Sequence, residues 1–347
     1  MSTLSLLAAK PQAGALIRQQ YEDFIVCEDL GFEPAGDGEH AFLHLEKRNL
    51  NTLDLARRLS ELSGVALKDI GYSGLKDRRA LTSQWFSVGL AGRAEPNWQW
   101  LEHSGDVRVL AVKRHLRKLR RGVHRSNTFC LTLRQITGDR QDLIQRLQWV
   151  REQGVPNFFG EQRFGRDGAT LVQARQWMQR GGERRLSRSK RSLYLSALRS
   201  HLFNRLLQER VEQNNWNIIL DGDTCVLQGS RSYFVCEQVD AAIARRAYEK
   251  DIHPALPLWG HGQPSSAHPL NCYRFEQQAQ QLADEHEICN FLETAGLNLD
   301  YRTARVLVDD FCWQFCDDDN LRLEFRLGAG SYATAVLAQL LNYSQGD

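Results

Sequence analysis

The sequence predicts an α+β protein of two domains. Three observations carry this. Strand-like stretches with alternating apolar residues dominate as far as Leu133 and return at Leu321 to Leu327. Between Val155 and about Arg302 the periodicity is mainly helical. The length of 347 residues, with 42% hydrophobic, suffices to bury a core in each of two domains.

Taken in order, Phe24 to Glu28 and Ala41 to Leu45 read as strands, the second setting Ala41, Leu43 and Leu45 against Phe42 and His44. Asn51 to Leu62 reads as a helix with Asn51 as cap, Leu55, Leu59 and Leu62 on its core face, and Gly64 as a left-handed stop. A glycine-bearing loop, Gly71 to Arg79, then leads into a strand from Gln84 to Val88. Val107 to Val112 and Thr128 to Leu133 are further strands, and Asp139 to Gln153 is a helix ended by Gly154. The middle region holds a helix from Tyr194 to Val211, a short polar strand pair near Cys225 and Phe234, and an interruption at Pro254 and Pro257. Leu321 to Leu327 alternates as a strand, and Gly328-Ala329-Gly330 turns it into a helix from Ser331 to Leu341. A lone strand is not stable, so it is expected to join the first sheet. The partition expected is therefore 1–154 and 303–347 as one domain, with 155–302 inserted into it.

Composition narrows the function classes. A net charge of +2 says little, but its distribution says more. Lys113, Arg114, Arg117, Lys118, Arg120, Arg121 and Arg125 follow one another without an intervening acid, and Arg184, Arg185, Arg188, Lys190 and Arg191 form a second run. One such run can be a solvated face; two favour contacts with phosphates. Leu4 to Ala9 lacks a preceding basic residue and does not read as a signal peptide, and no apolar run approaches the roughly 20 residues that span a bilayer. A cytoplasmic location follows, with the eight cysteines reduced. Cys312 and Cys316 lie one helical turn apart beside Trp313 and Phe315. They read as core thiols, since no further pair completes a zinc site and no metal is expected.

Asp77 is the candidate chemical centre. Asp and Gly favour turns, so a plain turn is the default account of the Lys76-Asp77 dipeptide taken alone. Its setting is more informative: Lys76, Arg78 and Arg79 favour an ionised carboxylate, which at neutral pH is ready to act as nucleophile or base.

Gly71-Tyr72-Ser73-Gly74-Leu75-Lys76-Asp77 resembles the active-site loop of the TruD family of tRNA pseudouridine synthases. Four more blocks agree in order: Glu22-Asp23-Phe24 with Glu28 and Asp29, the Gly154 to Gly165 segment, Ser196 to Asn204, and Gly330-Ser331-Tyr332-Ala333-Thr334. The resemblance implies a pseudouridine-synthase core with a mixed, mainly antiparallel sheet flanked by helices. It also implies that 155–302 is the family's mostly helical α/β insertion domain. The implied activity is isomerisation of uridine-13 in tRNA, without cofactor or metal; apart from the resemblance, no membrane partner is expected and the chain is expected to be a monomer. It makes Asp77 the essential carboxylate and Phe129 the aromatic that holds the extruded base. Asn127 would then bond to the uracil or its loop, with Phe24 and Tyr332 lining the pocket. Left to their residues alone, Phe129 is a core phenylalanine and Asn127 a strand-end residue. Tyr332 stands where the family has Phe, and Tyr21 where it has proline. Arg18 is expected to pair with Asp77, with Lys76 second, and Lys113, Arg114, Arg117, Lys118, Arg120 and Arg121 to meet RNA phosphates. A non-catalytic RNA-binding protein, or the same chemistry on another RNA, are the alternatives.

Overall fold

A computed structural model describes residues 10–182, 186–230 and 232–346. The Leu4 to Ala9 patch and Arg184 and Arg185 lie outside them. The chain first forms β1 (Ala13–Ile17), β2 (Phe24–Asp29), β3 (His40–Arg48), α1 (Thr52–Ser63), β4 (Ile70–Tyr72), β5 (Leu81–Gly89), β6 (Val107–His115), β7 (Ser126–Gly138) and α2 (Arg140–Gln153). There follow β8 (Val155–Pro156), α3 (Glu161–Phe164), α4 (Ala169–Gln179), α5 (Arg188–Glu212), β9 (Thr224–Leu227), β10 (Tyr233–Val235), α6 (Ala241–Tyr248), β11 (Ile252–Leu258), α7 (Pro269–Gln281), α8 (His286–Thr294), β12 (Asp300–Thr303) and β13 (Arg305–Val306). The chain closes with β14 (Asp309–Phe315), β15 (Leu321–Gly328), α9 (Ala333–Leu340) and β16 (Asn342–Gln345).

The chain divides into two compact units. One comprises Pro11–Leu147, Val308–Ala333 and Leu340–Asp347. It is built on a ten-stranded sheet in the order β14-β15-β7-β2-β5-β3-β6, with β1 and β16 added beyond β7 and β4 beside β5. Only β2–β5 and β1–β16 run parallel, so the sheet is mixed and mainly antiparallel. β15 pairs with β7 along its whole length, Leu321 opposite Leu133 and Leu327 opposite Asn127. The sheet buries Leu43, Leu45, Phe86 and Val88 against Leu55, Ala56 and Leu59 of α1. Gly64 stops α1 in the left-handed region, φ 65°. Asn51 precedes α1 in extended geometry, but its side-chain nitrogen bonds to Asp54 instead of capping the backbone.

The other unit comprises Gln148–Leu307 and Thr334–Gln339. Its spine is the 25-residue α5, which buries Leu198, Leu202, Phe203 and Leu206. The polar strand pair is β9 with β10. Contrary to the expected interruption, Pro254 and Pro257 lie inside β11, an inner strand of a four-stranded sheet. The two prolines are three residues apart, so the donors they remove face opposite neighbours, and neither ladder loses more than one. Among the described residues no helix is long and apolar enough to cross a membrane.

A second correction concerns Cys312 and Cys316. They are not one helical turn apart, because Cys312 lies on strand β14 and Cys316 just beyond it, and both are exposed. The segment alternates at period two, which turns Phe311, Trp313 and Phe315 toward the sheet's other side and leaves the thiols outside.

Candidate active site

Strand register assembles one face of the sheet. Residues directly opposite in neighbouring strands project to the same side. Glu28 lies opposite Asn127, Val26 opposite both Phe129 and Thr82, and Lys47 opposite Thr82. Phe24, Glu28, Lys47, Thr82, Gln84, Asn127 and Phe129 therefore share a face, and each of them is buried.

Above this face runs the loop from Ser73 to Ala80, between β4 and β5. Its backbone is held at several points. Lys76 N donates to Thr52 Oγ1 at 3.0 Å, Thr52 Oγ1 donates to Gln84 Oε1 at 2.8 Å, and Gln84 Nε2 donates to the Gly74 carbonyl at 3.2 Å. Lys47 Nζ donates to the Asp77 carbonyl at 3.0 Å. Arg79 Nη2 donates to the Gly346 carbonyl at 2.7 Å. These bonds leave the Asp77 side chain to point where the loop directs it.

The Asp77 carboxylate receives Arg18 Nη2 at 2.5 Å. The two ends of this pair differ in exposure, with 9% of the Arg18 side chain but 28% of the Asp77 side chain accessible. A buried, always-charged guanidinium thus holds a carboxylate whose outer side remains within reach of a solute. Arg18 has φ 57°, a conformation that costs a non-glycine residue about 1 kcal/mol or more and is found where surroundings over-determine it. Its guanidinium also lies 4.1 Å from the centre of the Phe24 ring, so one side chain links the carboxylate to the aromatic floor.

Lys76, the second expected partner of Asp77, is engaged elsewhere. Its Nζ meets Glu28 Oε2 at 2.5 Å, with 6% of Lys76 and none of Glu28 exposed. Glu28 also accepts from Trp85 N at 3.1 Å. An ionised carboxylate without water needs a charge beside it, and Lys76 is the cation the loop brings there. His124 stands next to this pair, and its Nε2 is 3.2 Å from Asn127 Nδ2. Burial, and after it the Lys76 charge, lowers the His124 pKa below its ordinary value, with Glu28 acting the other way. The imidazole is accordingly neutral at pH 7.

Phe129 is 7% exposed, stacked on Phe325 at 5.3 Å and edge-on to Phe24 at 6.4 Å. Asn127 Oδ1, Arg18 Nε, Ser73 Oγ and Thr82 Oγ1 are buried polar atoms without a hydrogen-bond partner. Such atoms are costly unless something polar meets them. Tyr332 follows β15 by four residues and is half-buried.

The basic run begins inside β6, not in a loop. Lys113 is paired with Glu33 and Arg114 with Glu95, both at 2.6 Å, and Arg125 with Asp29. Lys118 donates to the Lys68 carbonyl and Arg121 to the Tyr72 hydroxyl. Arg117 and Arg120 have no such partner among the described residues, and they line a cavity of about 580 Å³ with Phe32, Phe42 and His115.

Sequence reasoning missed Lys47, Glu28 as the holder of Lys76, and His124. A signal for Lys47 existed. The alternation Ala41, Leu43, Leu45 continues to position 47 on the same face, where a lysine is out of place.

Comparison with known proteins is consistent across the chain. The sequence profile of tRNA pseudouridine synthase D (TruD) matches residues 3–171 and 169–340. A tRNA pseudouridine synthase D of Nitrosococcus oceani is 46% identical over 332 residues, covering 95% of this chain and 91% of that protein. One of Methylococcus capsulatus is 44% identical, covering 94% and 91%. A crystal structure of a putative tRNA pseudouridine synthase D from Methanosarcina mazei superposes with a TM-score of 0.67 at 21% identity, covering 96% and 94%, and shares the fold. With a buried arginine holding one carboxylate over an aromatic and amide-bearing face, and with these relatives along its length, the chain belongs to the tRNA pseudouridine synthase D (TruD) family and is an isomerase of that family.

Proposed function

We propose that this enzyme converts uridine to pseudouridine in tRNA, at uridine-13, with Asp77 acting on the sugar of an extruded nucleotide. The reaction breaks the N1–C1′ bond, rotates the uracil and forms a C5–C1′ bond; the C5 proton is lost and N1 gains one. No electron acceptor or cofactor is consumed. Whether Asp77 adds to C1′ or removes a ribose proton, it must start ionised. The observation that carries the reading is the Arg18–Asp77 pair, which fixes a charged and still accessible oxygen beside Phe24. Asn127 Oδ1 is the acceptor free to meet a uracil N–H, and Phe129 lies on the same face.

The residues 1–154 and 303–347 act as the catalytic domain and 155–302 as the insertion domain. The protein works as a cytoplasmic monomer whose phosphate contacts include Arg117 and Arg120. The test is to incubate tRNA with the wild type and with Asp77→Asn, and to map pseudouridine by carbodiimide modification and primer extension. The wild type should give one product, at position 13, and the variant should bind without reacting. Binding by both with reaction by neither would establish a non-catalytic RNA-binding protein. A product only at other positions, or only in another RNA, would move the substrate assignment.

A further inference from the structure

The strand that leads into the Asp77 loop is supported from the opposite side of the sheet. β4 has three residues and, among the described residues, pairs only with β5. Ile70 and Tyr72 point into the core with Phe86 and Leu55, so Gly71 faces the other way, opposite Ser87. There the segment Lys118–Gly122 lies against it. A Cβ at Gly71 would collide with Ser87 Oγ and with the carbonyl oxygen of Leu119. Neither can withdraw easily, because Leu119 N donates to that same Ser87 Oγ at 2.9 Å and Leu119 is 3% exposed. Gly71 is therefore needed for close approach of two backbones, not for an unusual turn.

Three further contacts join the segment to the stretch leading into the loop and to the loop's first residue, Ser73. Gly122 N donates to the Ser73 carbonyl at 2.7 Å. Arg121 Nη2 donates to the Tyr72 hydroxyl at 2.5 Å, with its guanidinium 4.7 Å from the ring centre. Lys118 Nζ donates to the Lys68 carbonyl. The sequence pattern groups Lys118 and Arg121 with Arg117 and Arg120 as phosphate contacts, but in the structure each of the two gives a donor to the stretch that ends in Asp77.

We propose that Lys118–Gly122 is a positioning element for the Asp77 loop, and that Arg121 affects the reaction through Tyr72 and not by holding RNA. This rests on Asp77 being the reacting carboxylate. A loop anchored on both sides keeps its reacting oxygen within a narrow range, and a displacement of about 1 Å can cost on the order of 10²-fold in rate.

The experiment compares steady-state pseudouridine formation by the full chain and its variants on one tRNA transcript. Arg121→Gln should lower kcat about 10-fold with KM within about twofold. Arg121→Lys should restore part of it, since an ammonium can still donate to Tyr72. Adding Tyr72→Phe to Arg121→Gln should lower kcat little further, as expected of two groups acting as one. Arg117→Gln with Arg120→Gln should instead raise KM. Amide exchange in residues 73–77 should quicken in Arg121→Gln at unchanged global stability. A raised KM with unchanged kcat in Arg121→Gln would make it a phosphate contact and overturn the proposal, as would unchanged kinetics. Full activity in Asp77→Asn would instead remove the underlying assignment. Loss with Asp77→Asn and none with Arg121→Gln would defeat this proposal alone.

Discussion

Lys47, a side chain with no exposed surface, donates to the backbone carbonyl of Asp77 at 3.0 Å. An ammonium in that position is costly, and burial pulls its pKa down to about 8; the Asp77 charge works against this fall and Lys76 adds to it. Between that value and the ordinary 10.5, the unfolded chain holds a proton that the folded one has lost. Folding stability should therefore rise as pH increases across this window, by up to about 3 kcal/mol from this residue. Urea unfolding at pH 7 to 10 would show it. Lys47→Met should flatten the rise, and a parallel profile for wild type and variant would remove the account.

Arg18→Met should reduce kcat on the order of 10²-fold, because the carboxylate loses the cation that orients it. Since the two side chains act as a pair, combining Arg18→Met with Asp77→Asn should be no slower than Asp77→Asn alone. Additive losses would show that Arg18 works independently of the carboxylate.

Lys76→Met leaves Glu28 charged and buried without its partner, which should cost about 3–5 kcal/mol of stability. Adding Glu28→Gln should recover part of that. Thermal unfolding of the two variants checks this, and an undiminished melting temperature in Lys76→Met would mean the pair does not form in solution.

Neutralising Arg117 and Arg120 should reduce the slope of log affinity against log salt by about 1.5 if each meets one phosphate. The same change at Lys113 and Arg114 should alter it less, because Glu33 and Glu95 already offset those charges. Filter binding of tRNA across salt concentrations compares the pairs, and equal effects would mean that the carboxylates release their partners to the RNA.

How much of this was legible beforehand follows from the range of the forces involved. α1 was readable from its apolar spacing and Gly64, and β15 from strict alternation, because both patterns are local. β11 was not, since its two prolines argue against an inner strand until the sides their missing donors face are known. The cysteines of β14 could be placed only once period two replaced period four. At the candidate site, Asp77 stood out through blocks distributed over the chain, and Arg18 lies against its carboxylate. Lys76, the second choice as partner of Asp77, is held by the buried Glu28, a residue 48 positions away that no local pattern links to it. β1 and β16 escaped notice altogether. Each is short, and their parallel register, Gly14 beside Asn342 through Ile17 beside Gln345, joins opposite ends of the chain.

That last pairing has a consequence for synthesis. Arg18 is the residue immediately after Ile17, so it leaves a strand held on one side by β7 and on the other by β16, which the ribosome makes more than three hundred residues later. A nascent chain can complete most of its sheet and still lack the parallel partner of the strand that leads into Arg18.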